Sequence, residues 1–284
     1  MFSWSSKLLR KVEKNRGSAT SLIKDIANDV YGKASEGLMD RQNWIDLALG
    51  LVDAKPEMAT VFNLANGILL SLPSENYNSD IALFMETILK RPEPMASIAQ
   101  TVLENYDVKW VMINSYSATV LEVLKALHRR GNLTVTVAES LPMGEGAMFA
   151  EALINCGIKI EIICDSMVFE WMDKADAFIC GADMVGPLGI FNKMGSRAIA
   201  TAANLASKKV LVVCDSMKIC PVNVKKFIVK KEPTGKDVFR SIQMFELFPL
   251  NMISSVITES GAFNASKLND LFENWIIDDR LKND

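Results

Sequence analysis

The chain has 284 residues, of which 49% are hydrophobic, and its formal net charge is −3. A chain of this size can bury a sizeable core in two domains or one large domain, and its slight negative charge argues against a general nucleic-acid or anionic-membrane surface. The single histidine, His128, nearly excludes histidine-based catalytic triads and histidine metal sites.

The cysteines and the first residues indicate the cellular compartment. The five cysteines form no C-x-x-C pair and lie mostly within apolar runs, so we interpret them as buried thiols of a reducing cytoplasm. The start of the chain lacks the long apolar core of a signal peptide, and no apolar run reaches about 18 residues. The sequence therefore predicts a soluble, cytoplasmic protein without a metal ion or a cofactor.

The first part of the chain is predicted to be helical throughout. Apolar residues recur there at three- and four-residue spacing, in the segments 19–31, 42–53, 57–72, 79–90 and 94–104. This pattern predicts a helical N-terminal domain over residues 1–104. Within it, Arg16, Gly17 and Ser18 combine a cation, a flexible glycine and a capping hydroxyl ahead of a helix. A simple helix cap is the alternative interpretation of this loop.

From residue 105 onward, strands and helices alternate. Strands are predicted at 109–113, 133–138, 158–164, 176–180 and 209–214, and helices at 118–130, 147–156, 166–173 and 196–206. This rhythm implies right-handed crossovers and a parallel sheet over residues 105–284. The glycines form neither G-x-G-x-x-G nor G-x-x-x-x-G-K, which gives a dinucleotide or nucleoside-triphosphatase function little support.

The stretch from Gly181 to Ser196 is the strongest candidate for a ligand site. It follows an apolar strand, which places Asp183 where open α/β sheets bind their ligands. Lys193 and the backbone N–H groups of a helix beginning at Ser196 are predicted to form a phosphate-binding site. The alternative is an ordinary loop with Ser196 as a cap and a solvated lysine.

The loops after the strands resemble a known family when they are taken together. Their motifs are Glu139-Ser140-Leu141-Pro142 with Glu145-Gly146, then Asp165-Ser166, Gly181-Ala182-Asp183 and Asn192-Lys193-Met194-Gly195-Ser196. In order and spacing they are similar to the motifs of the initiation factor 2B alpha/beta/delta family, which also contains methylthioribose-1-phosphate isomerase and ribose-1,5-bisphosphate isomerase. The early loop at Arg16, the segment from Lys55 to Asn66, and Phe245 to Gly261 extend the resemblance over nearly the whole chain.

The resemblance implies an architecture and an assembly. The expected fold class is α/β, with a helical N-terminal domain followed by a Rossmann-like parallel-sheet C-terminal domain. Members of the family dimerise through the C-terminal domain, so a homodimer or higher homo-oligomer is expected, with the apolar segment 242–263 as the candidate surface. The last residues, 278–284, are predicted to be a frayed, solvated end.

Several residues differ from the family's motifs at positions that the resemblance assigns to catalysis or phosphate binding. The resemblance aligns Ser115 with the catalytic cysteine of the isomerases, and a serine cannot supply a thiolate. Asp183 matches the retained partner acid. Leu141 and Lys55 replace arginines, and Lys55 thereby loses the planar fork that binds phosphate through two bonds. Glu145 replaces a glutamine, and a carboxylate there would repel a facing phosphate.

The loop from Asn114 to Ser117 is similar to the corresponding loop of the regulatory alpha subunit of eukaryotic initiation factor 2B. We therefore favour a regulatory protein, resembling a translation initiation factor, that binds a sugar phosphate or nucleotide phosphate without isomerising it. The predicted ligand contacts are Arg16, Gly17, Ser18, Lys55, Tyr116, Ser117, Glu145, Asn192 and Lys193. A protein partner is compatible with this function, whereas nucleic acid and membranes are not expected. The alternative is an aldose–ketose isomerase acting on a ribose 1-phosphate derivative, in which Asp183 and Ser115 would be the catalytic residues.

Overall fold

The computed structural model describes residues 3–15, 19–222, 229–235, 238–273 and 275–282. They form two compact units. The first contains the described residues up to Pro92 together with Val222 and residues 275–282, and the second contains Glu93–Pro221 and the described part of Lys225–Glu273. The domain boundary placed after residue 104 from the sequence stays a prediction.

The first unit is built from helices. They are α1 (Trp4–Lys14), α2 (Ala19–Ser35), α3 (Arg41–Ala54), α4 (Ala59–Ser71) and α5 (Tyr77–Lys90). Helix α4 is buried around nearly its whole circumference, because it is apolar on every side and such a helix is stable only inside a core. Helix α5 approaches α4 closely at Gly67, where a Cβ would lie 2.0 Å from Phe84 Cε1.

The C-terminal end of the chain is held by hydrogen bonds to helix α4. The Asn66 side chain donates from Nδ2 to the Ile276 carbonyl at 2.9 Å and accepts from the Asp278 backbone N–H at 2.9 Å. Leu281 is buried. The prediction of a frayed end was therefore wrong for the described residues up to Lys282, because a buried amide of α4 satisfies the backbone of the tail.

The second unit contains a seven-stranded sheet with helices. Its helices are α6 (Met95–Asn105), α7 (Ala118–Arg130), α8 (Glu145–Ile154), α9 (Val168–Met172), α10 (Ser196–Leu205) and α11 (Ala265–Glu273). The strands of the sheet are β1 (Trp110–Ile113), β2 (Thr134–Ala138), β3 (Lys159–Ile163), β4 (Ala177–Cys180), β7 (Lys209–Val213), β11 (Ser255–Thr258) and β12 (Gly261–Phe263). No helix in the described part of the chain combines the length and the apolar character that crossing a membrane requires.

The strand order of this sheet is β12-β11-β7-β4-β1-β2-β3, and every pair is parallel except β11 with β12. Strand β4 is apolar and buried along its whole length, as expected for a parallel strand covered on both faces. The first strand of this sheet, β1, lies inside it. The chain adds β2 and β3 on one side of β1 and then β4, β7 and β11 on the other, which is the doubly wound order with a switch point between β1 and β4. The predicted α/β fold class, helical first and Rossmann-like second, is confirmed.

Three smaller strand pairings were absent from the sequence prediction. Strands β5 (Met184–Gly186), β6 (Gly189–Lys193) and β10 (Phe245–Phe248) form an antiparallel sheet in the order β10-β6-β5. Strands β8 (Val229–Gly235) and β9 (Val238–Gln243) form a separate hairpin. The loop predicted between the fourth strand and its following helix is thus largely a β-hairpin.

Candidate functional site

The candidate site lies in the second unit, at the switch point of the sheet. The loops that follow β1 and β4 meet there, because the carboxyl ends of parallel strands lie at one edge. A Cβ on Gly181 would lie 2.9 Å from Ser117 Oγ, so only glycine lets the two loops approach this closely. Asp183 follows two residues after this glycine, and its backbone N–H donates to the Phe191 carbonyl at 2.9 Å.

Ser115 is held in a left-handed backbone conformation, with φ of 56°. Its backbone N–H donates to Ser140 Oγ at 2.6 Å, and Ser140 also has a positive φ, of 61°. Asp165 fixes the second loop in turn, since its carboxylate accepts from the backbone N–H groups of Ser140 and Leu141, both at 2.8 Å. Such strained residues persist where the surroundings over-determine them, which is typical of binding and catalytic sites.

Three of the predicted site residues are directly linked by their side chains. Ser115 Oγ donates to Glu145 Oε2 at 3.0 Å, and the Lys193 ammonium donates to Glu145 Oε1 at 2.7 Å. Lys193 lies at the end of strand β6, with its ammonium 5.2 Å from the centroid of the Phe245 ring. The Lys193 side chain is only 9% exposed and that of Glu145 is 25% exposed. The carboxylate therefore neutralises the best-placed cation of the site.

The position of Glu145 is set by the glycine that follows it. A Cβ on Gly146 would lie 2.1 Å from the Ala138 carbonyl oxygen, so helix α8 begins pressed against the end of strand β2. Glu145 is the first residue of α8, where a negative charge interacts favourably with the helix dipole.

Lys218 is a site residue that the sequence analysis missed. Its ammonium lies 3.5 Å from Asp183 Oδ1, and its side chain is 12% exposed. It belongs to the short 3₁₀ helix Ser216–Lys218, which follows strand β7 and so lies at the same sheet edge as the other loops. The signal that could have found it is this position after a predicted strand.

The start of helix α10, which was predicted to bind a phosphate, already binds the carboxylate of Glu246. The backbone N–H groups of Gly195 and Arg197, at the start of α10, donate to Glu246 Oε1 at 2.7 and 3.0 Å. The expectation of free N–H groups there is corrected, because Glu246 on strand β10 lies far away in the sequence and pairing with β6 brings it to the helix.

Asn192 is turned toward a buried polar cluster below the site. Its Nδ2 donates to Ser196 Oγ at 3.0 Å, and Asn114 Nδ2 donates to the same oxygen at 2.9 Å. Ser196 Oγ donates to the Lys193 carbonyl at 2.7 Å. This cluster fixes the backbone that carries Lys193, so Asn192 has a positioning role whether or not it also contacts a ligand.

The remaining predicted residues have defined places. Tyr116 is 44% exposed, and its ring centroid lies 5.1 Å from that of Phe149. Ser117 caps helix α7, accepting from the Val120 backbone N–H at 3.3 Å. In the first unit, Lys55 donates from Nζ to the Asn15 carbonyl at 3.1 Å. The predicted loop of Arg16, Gly17 and Ser18 lies outside the described residues.

Two buried thiols lie at the carboxyl ends of strands that border the site. Cys180 ends strand β4, and Cys214 follows strand β7. Burial raises the pKa of Cys180 far above its ordinary range, with the nearby Cys214 adding to the effect, and burial raises the pKa of Cys214 to about 12. Both groups stay protonated near pH 7, so neither supplies a thiolate. Among the described residues, no group of three or more histidine, cysteine or acidic side chains is placed to hold a metal ion.

The family model described as the Initiation factor 2 subunit family matches residues 17–265 of the chain. The chain belongs to this family. The resemblance inferred from the loop motifs is thereby confirmed.

Members of the initiation factor 2 subunit family that are similar to the chain have two kinds of name. A putative translation initiation factor eIF-2B subunit 2-like protein of Pyrococcus abyssi is 30% identical over 220 residues, which cover 76% of the chain and 79% of that protein. A ribose 1,5-bisphosphate isomerase of Methanocaldococcus jannaschii is 25% identical over 228 residues, covering 74% of the chain and 73% of that protein. The crystal structure of Pyrococcus horikoshii OT3 translation initiation factor eIF-2B is similar with a TM-score of 0.78 and 25% identity, covering 92% of the chain and 97% of that structure.

Proposed function

We propose that this family member binds a sugar phosphate or a nucleotide phosphate as a regulatory, initiation-factor-2B-like protein and does not isomerise its ligand. One observation carries the proposal. The Ser115 hydroxyl, which the resemblance aligns with the cysteine of the isomerases, donates to the carboxylate of Glu145. A hydroxyl in this arrangement has no free base to activate it as a nucleophile, because the carboxylate beside it is already paired with the Lys193 ammonium.

The charges of the site support a phosphorylated ligand. Lys193 and Lys218 both lie at the carboxyl edge of the sheet, and each is more than four-fifths buried. Buried ammonium groups are poorly screened by water, so an anion that takes the place of their carboxylate partners, Glu145 and Asp183, is bound strongly. In the second unit we propose Tyr116, Ser117, Glu145, Asn192 and Lys193 as ligand contacts, together with Lys218. Lys55 and the loop of Arg16, Gly17 and Ser18 stay predicted phosphate contacts.

Thermal unfolding against a panel of ligands tests this function. The panel contains ribose 1,5-bisphosphate, methylthioribose 1-phosphate, ribose 5-phosphate, fructose 6-phosphate, AMP and GMP, and each mixture is assayed afterwards for product. A ligand at about 100 times its dissociation constant adds about 2.7 kcal/mol to the free energy of unfolding, which raises the melting temperature measurably. We expect at least one ligand to raise the melting temperature without forming a product. A panel that gives no shift contradicts it.

A second function is favoured by the contact between Asp183 and Lys218. An aldose–ketose isomerase needs two groups of different acidity to move a proton between C1 and C2 of the opened sugar, and a carboxylate 3.5 Å from an ammonium is such a pair. The similarity to a ribose 1,5-bisphosphate isomerase points the same way. In that case the protein is an intramolecular oxidoreductase, and turnover of ribose 1,5-bisphosphate is lost in Asp183→Asn. In the regulatory function the same variant still binds ligand.

We also propose that the protein is cytoplasmic and forms a homodimer or a higher homo-oligomer. The five cysteines are present as thiols rather than disulfides, which fits a reducing compartment. Segment 242–263 stays the predicted surface for self-association, and a partner protein is compatible with a regulatory role. Light scattering tests the assembly directly, and a monomer at micromolar concentration counts against it.

A further inference from the structure

Glu145 is the only one of the predicted ligand contacts in the described residues that is itself an anion, and both of its carboxylate oxygens are engaged. Oε1 accepts from the Lys193 ammonium at 2.7 Å, and Oε2 accepts from Ser115 Oγ at 3.0 Å. The cation that a phosphate would use is thus already bonded to a carboxylate of the same chain.

The charges around this contact cancel. Lys193 is paired with Glu145, and Lys218 is paired with Asp183. A phosphate monoester brings a charge of about −1.5 to −2 at pH 7. It therefore meets two ion pairs in the second unit rather than two free cations.

We infer that Glu145 is an internal competitor for phosphate at Lys193, and this inference rests on the proposed function of phosphate binding. Two oxygens that are bonded to one ammonium lie at most about 5.5 Å apart, since each N···O distance is about 2.8 Å. A phosphate bonded to Lys193 thus lies close to the Glu145 carboxylate or displaces it. The first arrangement sets like charges against each other in a site where they are weakly screened.

Displacement of Glu145 is sterically open to the chain. Its side chain is 25% exposed, and it lies in the first turn of α8 after Gly144, with the neighbouring Met143 exposed at 56%. The carboxylate can turn toward solvent without unfolding the helix. The site as folded accordingly selects against doubly charged phosphate groups at Lys193 and favours a hydroxyl or a singly charged group there.

The test compares three proteins by isothermal titration calorimetry with inorganic phosphate and with ribose 5-phosphate. They are the wild type, Glu145→Gln and Glu151→Gln. The glutamine at 145 has the same shape without the charge. Glu151 lies exposed on the same helix, so its variant makes the same change in net charge away from the site. Removal of one unit charge at about 4 Å changes affinity by between about fivefold and several hundredfold, so we expect Glu145→Gln to bind about tenfold more tightly or better. Glu151→Gln should match the wild type.

A second variant shows whether the gain depends on Lys193. Adding Lys193→Met to Glu145→Gln should remove the gained affinity, with the melting temperature of each protein measured to establish folding. Equal, measurable binding by the wild type and Glu145→Gln overturns the inference and leaves the proposed function standing. Gained affinity that survives Lys193→Met also overturns it. No binding by any of the proteins overturns both the inference and phosphate binding.

Discussion

Replacement of Gly146 by alanine tests whether helix α8 is held against strand β2 by close backbone contact. A Cβ there would lie 2.1 Å from the Ala138 carbonyl oxygen and 3.0 Å from that of Glu139. Both atoms belong to the backbone, so no side-chain rotation relieves the clash. The shorter contact must open to about 3.4 Å, where ordinary van der Waals contact begins. This shift also stretches the hydrogen bond from the Gly146 N–H to the Glu139 carbonyl, now 3.1 Å.

The expected cost follows from these two losses. Overpacking costs about 1–3 kcal/mol and a lost backbone hydrogen bond about 1 kcal/mol, so Gly146→Ala should lower the free energy of unfolding by about 2–4 kcal/mol. Urea denaturation followed by circular dichroism measures the change. The matched control is Gly131→Ala, because no atom lies within 4 Å of a Cβ at Gly131 and its φ of 173° is extended. A Gly146→Ala protein within about 0.5 kcal/mol of the wild type would refute the argument.

Three further predictions concern stability. Gly32 lies inside α2 with no atom within 4 Å of a Cβ, so Gly32→Ala should add about 0.5–1 kcal/mol and raise the melting temperature; a lower one contradicts this. Glu246→Ala removes the carboxylate that accepts from two N–H groups at the start of α10, and should cost about 1–2 kcal/mol in urea denaturation, with Glu246→Gln costing less. Burial raises the pKa of Cys180 and Cys214 above 9.0, so these thiols ionise only in the unfolded chain above about pH 9. The free energy of unfolding should therefore fall as pH rises beyond 9, by up to about 2.7 kcal/mol per pH unit for the two, and a Cys180→Ala, Cys214→Ala variant should show a shallower fall.

The main sheet could be predicted because each of its strands carries a local signal. Strand β4, at Ala177–Cys180, is a short apolar run that follows Asp176 and ends at Gly181, and helices separate it from the strands before and after it in the chain. The hairpin of β5 and β6 could not be recognised this way. Strand β5 has three residues, Met184–Gly186, which is too short to show an alternating pattern. Its partner β6 is buried along its length and lacks alternation for that reason.

The sequence indicated which loops carry candidate site residues, but not which of their side chains contact each other. The positions of Asp183 and Lys193 followed from a strand end and a helix start, whereas Ser115 and Glu145 were indicated by the resemblance to the family. The pairing of Lys193 with Glu145 joins residues 48 positions apart, and no local pattern encodes that contact. Lys218 lies in the loop after β7, where no motif in the sequence indicates a ligand contact.

Two places in the second unit that could bind an anion, the start of helix α10 and the Lys193 ammonium, already contact a carboxylate of the chain. At α10 the N–H groups are used by Glu246, so the positive end of that helix stabilises the chain itself. At Lys193 the bound carboxylate is that of Glu145, whose side chain is 25% exposed. We therefore expect a ligand anion to compete with a carboxylate at Lys193 and not at the start of α10.

We propose that the protein binds a sugar phosphate or a nucleotide phosphate without isomerising it, and a sugar phosphate that the isomerases convert gives the sharpest test. The most direct measurement incubates the purified protein with ¹³C-labelled ribose 1,5-bisphosphate at a concentration shown by calorimetry to saturate it, and follows the sugar by NMR. Saturable binding with the aldose signals unchanged is the predicted result. Formation of ribulose 1,5-bisphosphate at a rate proportional to protein concentration, and lost in Asp183→Asn, would contradict the claim and establish the isomerase.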